Sequence, residues 1–136
     1  MNKLKISANI LLGLNIVALL LHTCIIIKLI PYDITWGGRL TNDNEMYVFE
    51  SVSILISLFF SLLIVTKAGY IKYFIPEKAV TILLWLFFGL FVLNTVGNIL
   101  AKTNFEKLFT VLTLLNAVLL WIILRAKKRL AILASP

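Results

Sequence analysis

The side chains in this chain that could do chemistry lie mostly within or beside apolar runs. Glu50 is the sharpest of them, because it is the single charge in the run from Met46 to Thr66 and sits about one turn inside it. An unpaired carboxylate in such a setting is costly, and an ionisable group inside a membrane span is a functional candidate by default. A cationic partner is therefore expected, and Arg39 and Lys102 are the outer-side cations with the best reach. His22 is the only histidine, and imidazole is the side chain best suited to exchanging protons near neutral pH. Asn94 and Asn98 stand at i, i+4, and Ser53 and Thr113 add hydroxyls on other segments. Glu106 follows Thr103 by three, a helix-capping pattern, and Trp36 precedes the pair Gly37-Gly38. These groups suit hydrogen bonding and binding better than covalent chemistry. The sequence has no G-x-S-x-G elbow and no glycine-rich phosphate loop. Cys24 is single, so no disulfide within the chain and no C-x-x-C pair can form. One histidine and one cysteine two residues apart on a helix do not converge on a metal. No metal, no cofactor and no catalytic residue is assigned.

The elements that must position these groups follow from composition. Of 136 residues, 61% are hydrophobic and 14% charged, against about 45–50% and about 25% in soluble domains. That excludes an ordinary water-soluble globule. Crossing a hydrocarbon core roughly 30 Å thick takes about 20 helical residues. Four segments qualify: Ile6 to Ile27, Met46 to Thr66, Ala79 to Ala101, and Leu108 to Leu124. They are continuous apolar runs rather than alternating ones, which argues against strands. Pro31 stops the first, Asn42 with Glu45 caps the second, Pro76-Glu77 opens the third and Thr103 with Glu106 opens the fourth. The expected fold is an all-α integral membrane antiparallel four-helix bundle forming one transmembrane domain over 1–136. Its helices run over about 6–30, 43–66, 76–101 and 104–126, with an outer loop at 31–42 and a basic tail at 125–136. The first apolar run exceeds the 7–15 residues typical of a secretory leader and is read as an uncleaved helix.

Charge sets the expected orientation. With the N-terminus inside, nine of the 13 basic residues fall on the inner side and only Lys28, Arg39, Lys102 and Lys107 on the outer. Glu77 is the one inner acid, which leaves +8 inside and −1 outside. Short loops with this bias place both termini in the cytoplasm. A basic inner rim, densest at Arg125-Ala126-Lys127-Lys128-Arg129, attracts anionic lipid headgroups and accounts for the net charge of +7 without nucleic acid as a partner.

Each span also carries a small or polar stripe, suited to helix association in lipid: Asn15 and His22; Ser53, Ser57 and Ser61; Asn94 and Asn98 with Gly89 and Gly97; Thr110, Thr113 and Asn116. Measured along the helices, His22, Asn94, Ser53 and Thr113 share a layer about 10–13 Å below the outer surface. Asn98, Glu50, Glu106 and Arg39 lie above it. The expectation is an outward-facing polar mouth made of Arg39, Glu50, His22, Asn94 and Asn98, with Glu106, Trp36, Ser53 and Thr113 as further members. The loop folds back over it on a Gly37-Gly38 turn, and Arg39 pairs with Glu50.

Pro31-Tyr32-Asp33-Ile34-Thr35-Trp36-Gly37-Gly38-Arg39-Leu40, Val48-Phe49-Glu50, Asn94-Thr95-Val96-Gly97-Asn98 and Phe105-Glu106-Lys107 together resemble a group of small bacterial four-span membrane proteins without assigned function. The resemblance spans most of the chain and implies a fold and a bacterial inner-membrane address, not an activity. The expected role is non-enzymatic binding of a small or amphipathic ligand, or of a partner, through the mouth. A small transporter or channel built as a homo-oligomer is the alternative. A lipid- or quinone-modifying enzyme using Glu50 and His22 as acid and base is a third reading.

Overall fold

A computed structural model describes residues 2–126, and within them the chain is helical apart from its connections. Four long helices follow one another: α1 (Lys3–Ile26), α2 (Asp43–Lys67), α3 (Glu77–Ile99) and α4 (Asn104–Arg125). Each is long and apolar enough to cross a membrane. At 1.5 Å per residue they are about 33–38 Å long. Two single 3₁₀ turns, Tyr32–Ile34 and Trp36–Gly38, lie in the connection between α1 and α2. Of the basic tail, residues 127–136, with Lys127, Lys128 and Arg129, lie outside the described residues.

Local chemistry fixes the helix ends. Asn42 and Thr103 cap α2 and α4, their side-chain oxygens accepting from the backbone N–H of Glu45 and Glu106. Asn2 does the same for α1 through Lys5, so that helix begins at Lys3, ahead of its uncharged run. Its other end differs from expectation. α1 stops at Ile26 rather than running to about residue 30, because Lys28 turns left-handed at φ 61°. The Leu29 N–H then bonds back to the Cys24 carbonyl and the Lys28 N–H to that of Ile25. This is the Schellman arrangement. α2 ends identically with Gly69 at φ 81°, Tyr70 bonding to Val65 and Gly69 to Thr66.

The helices pack around a core of Ala8, Leu11, Leu63, Ile64, Leu84 and Leu120, all fully buried. Phe60 of α2 stacks on Phe87 and Phe91 of α3, with ring centroids 4.7 and 5.3 Å away. The outward faces are equally apolar, with Leu20, Leu55, Leu93 and Val111 all exposed. A bundle that is hydrophobic inside and out is built for lipid rather than water. Polar contacts tie α1 to the α2 side of the bundle at three levels: His22 to Glu50, Asn15 to Ser57 and Ser61, and Asn9 to Tyr70. A second, smaller buried cluster joins Leu40 of the 27–42 connection to Ile25 of α1 and Met46 of α2.

Candidate functional site

Glu50 is the centre of the polar chemistry. α2 begins at Asp43, which puts Glu50 about 10 Å, or two turns, inside the helix. Its side chain is 0% exposed. One carboxylate oxygen, Oε2, lies 2.5 Å from His22 Nδ1 on α1. The other, Oε1, accepts a 2.7 Å bond from Trp36 Nε1 in the connection. Placing that indole N–H on Glu50 uses a backbone that favours glycine: Trp36 has φ 55°, at a conformational cost of roughly 1–2 kcal/mol. The bond to Glu50 and an edge-on contact with Phe49 (centroids 5.1 Å apart) offset it.

The expected pair of Arg39 and Glu50 does not form. Gly37 and Gly38 follow Trp36 with φ 67° and 68°, and this turn aims the indole N–H at Glu50 while the ring stays 39% exposed, and it leaves Arg39 exposed without a bond to Glu50. Arg39 makes no ion pair among the described residues. Glu50 takes its partners instead from an imidazole and an indole, whose desolvation is less costly than that of a guanidinium.

Glu106 is a second buried carboxylate, 6% exposed. In the usual capping box the glutamate reaches back to the N-cap amide. Here Oε2 accepts from the Thr103 hydroxyl at 2.8 Å, while Oε1 accepts the backbone N–H of Gly37. Thr103 Oγ1 also approaches the Ile34 carbonyl, at 3.4 Å. Two carboxylates on different helices therefore grip consecutive residues of one loop, Trp36 by its side chain and Gly37 by its backbone. Trp36, Glu50, Glu106 and His22 come together at this end of the bundle.

The remaining expected members are dispersed. Thr113 of α4 meets α3 through Thr95, hydroxyl to hydroxyl at 3.0 Å, and through Asn98 at 3.5 Å. The buried α3 group in that contact is Thr95, which sequence reasoning passed over. Asn94, one residue earlier, is exposed. Ser53 hydrogen-bonds its own helix at the Phe49 carbonyl. No bond joins Ser53 and Asn94 among the described residues. Outside the latch that Glu50 and Glu106 make on the loop, Lys28 and Asp43 form a 2.5 Å ion pair. That bond holds the Lys28 ammonium above its usual pKa, while burial raises the Tyr32 phenol. Lys28, Pro31, Tyr32, Leu40 and Thr41 line an open cleft of about 470 Å³ beside the loop.

No protein-family model matches the chain, and no curated protein or solved structure matches it significantly. The fold and the polar chemistry define a small multi-pass membrane protein. Its particular feature is a connection held over one end of the bundle by two buried carboxylates.

Proposed function

We propose that the protein is a non-enzymatic bundle of antiparallel helices in a bacterial inner membrane, with both termini cytoplasmic, and that its working part is the extracytoplasmic loop over residues 27–42. The loop acts as a cover that binds a small or amphipathic ligand, or a partner, and releases it when the Glu50 and Glu106 contacts rearrange. One observation carries this reading. Each buried carboxylate accepts one hydrogen bond from the loop, Glu50 from the Trp36 indole and Glu106 from the Gly37 amide, with His22 and Thr103 at their other oxygens, so they hold a cover rather than line an open path. The packed Leu, Ile and Phe core beneath supports binding at the mouth over conduction through a single copy. The charge asymmetry of the loops supports the orientation, and the basic rim would rest on anionic lipids.

The test is native mass spectrometry of the protein purified in mild detergent, alongside the Glu50→Gln variant. A copurifying molecule or partner that Glu50→Gln loses supports the reading. Absence of both, with Glu50→Gln altering thermal stability alone, makes the cover purely structural. A second reading, a proton-linked transporter, is favoured by the direct contact of His22 with a buried carboxylate. Reconstituted vesicles with pH-driven flux that Glu50→Gln abolishes would support it over the first.

A further inference from the structure

At the end of the bundle away from the loop, α1 begins and α4 finishes side by side. Between them lies a cleft of about 340 Å³ lined by Lys3, Trp121, Ile122, Arg125 and Ala126. Its charge is one-sided. Among the described residues two cations line it, one from the first helix and one from the last, and no carboxylate does. Lys3 has no ion pair among the described residues. The Arg125 guanidinium stacks over the Trp121 ring, 5.3 Å from its centroid, which fixes the side chain and leaves its in-plane N–H donors open to a ligand.

The wall below the cations is apolar and stiff. Trp121 is held from behind by Trp85 and Phe88, each with its ring centroid 5.6 Å away. Beyond it, exposed Val118, Leu114 and Val111 continue the apolar surface along α4. One turn of helix, about 5.4 Å, separates Arg125 from Trp121, so cation and indole sit at successive depths. This is the sequence of surfaces that a phospholipid presents from phosphate to acyl chain.

We propose that this cleft binds the phosphodiester of an anionic glycerophospholipid, with Lys3 and Arg125 on the phosphate and one acyl chain against Trp121 and Ile122. A free phosphate would leave the apolar wall unused. A zwitterionic headgroup would bring its own cation toward Lys3 and Arg125 with no acid to receive it. Because the two cations belong to α1 and α4, the bound lipid also joins the first and last helices and stabilises their contact. The inference rests on the reading of the chain as membrane-embedded and is independent of what the loop at the other end binds.

The test uses the full chain in mixed micelles offered equal phosphatidylglycerol and phosphatidylcholine, with bound lipid counted by native mass spectrometry and melting followed in parallel. At about fivefold per cation, wild type is expected to hold one phosphatidylglycerol with roughly thirtyfold preference and to melt higher in its presence. Lys3→Gln/Arg125→Gln is expected to lose both the preference and the lipid-dependent rise. The variant Lys127→Gln/Lys128→Gln/Arg129→Gln is expected to keep them. Equal retention of the two lipids by wild type, or loss of preference only in the 127–129 variant, would overturn the site. Displacement of the lipid from wild type by millimolar inorganic phosphate would overturn its assignment to a lipid.

Discussion

Replacing Glu50 by alanine removes an acceptor with two neighbours, Trp36 Nε1 at 2.7 Å and His22 Nδ1 at 2.5 Å. Each group left unmatched and out of water costs about 1–3 kcal/mol. Both partners keep some access to water, Trp36 at 39% and His22 at 23% exposure, so the total expected loss is about 2–3 kcal/mol. Glu50→Gln separates charge from hydrogen bonding. Its amide oxygen still accepts from Trp36, and its NH₂ donates to His22 once the imidazole proton moves to Nε2. That variant is expected to lose only about 1 kcal/mol, one ordinary hydrogen bond's worth. Trp36→Phe keeps the ring against Phe49 and removes the donor, so in combination with Glu50→Ala the two losses should overlap by about 1–2 kcal/mol. The assay is equilibrium unfolding in mixed micelles titrated with dodecyl sulfate, with limited proteolysis of the 27–42 loop as a local reporter. If Glu50→Ala unfolds within about 0.5 kcal/mol of wild type, the level of an ordinary surface change, and its loop is cut no faster, the latch does not exist.

The same arrangement sets other outcomes. Glu106→Ala is expected to destabilise by about 1–3 kcal/mol and to expose the same loop to protease, whereas Arg39→Ala should change neither, since the Arg39 side chain is exposed. Thr95→Val should lower unfolding stability by about 1 kcal/mol by removing the hydroxyl contact with Thr113, while Asn94→Leu, at an exposed position, should be neutral or stabilising in detergent. Gly69→Ala is expected to cost roughly 1–2 kcal/mol because a side chain must then adopt φ 81°. The Lys28 pKa is raised in the folded protein above its ordinary value of 10.5, so its contribution is complete below that value. It is lost as the pH climbs through the higher folded value, and Lys28→Gln should flatten that alkaline decline.

Hydropathy alone makes the four helices legible, because each span must be apolar around its whole circumference. The caps at Asn42 and Thr103 are legible too, since the acceptor and the acid three residues on are both written locally. What was not legible turns on small displacements. A lysine at the left-handed position after α1 carries no sequence signal, unlike Gly69 at the equivalent point of α2. Extending α1 to residue 30 moves His22 about 6 Å deeper by the helical rise. That is enough to place it in a layer beneath Glu50 instead of beside it. Charge then nominates Arg39 as the partner, but the glycine pair that makes the turn also decides which neighbour reaches Glu50, and it is the Trp36 indole N–H. Thr95 and Asn94 differ by one residue, about 100° around the helix, and polarity does not say which of them faces α4. The four-residue spacing of Ser57 and Ser61 marks one stripe on α2, but that Asn15 of α1 is the residue meeting it is not written in the spacing.

The most direct measurement of the central claim is residue-resolved hydrogen exchange at Gly37 N–H together with the Trp36 indole proton. If Glu50 and Glu106 hold the loop as described, both protons exchange far more slowly than those of an unstructured segment. Glu50→Ala then releases the indole, and Glu106→Ala releases the Gly37 amide. Exchange of both in wild type at the rate of a free, solvated loop would contradict the account.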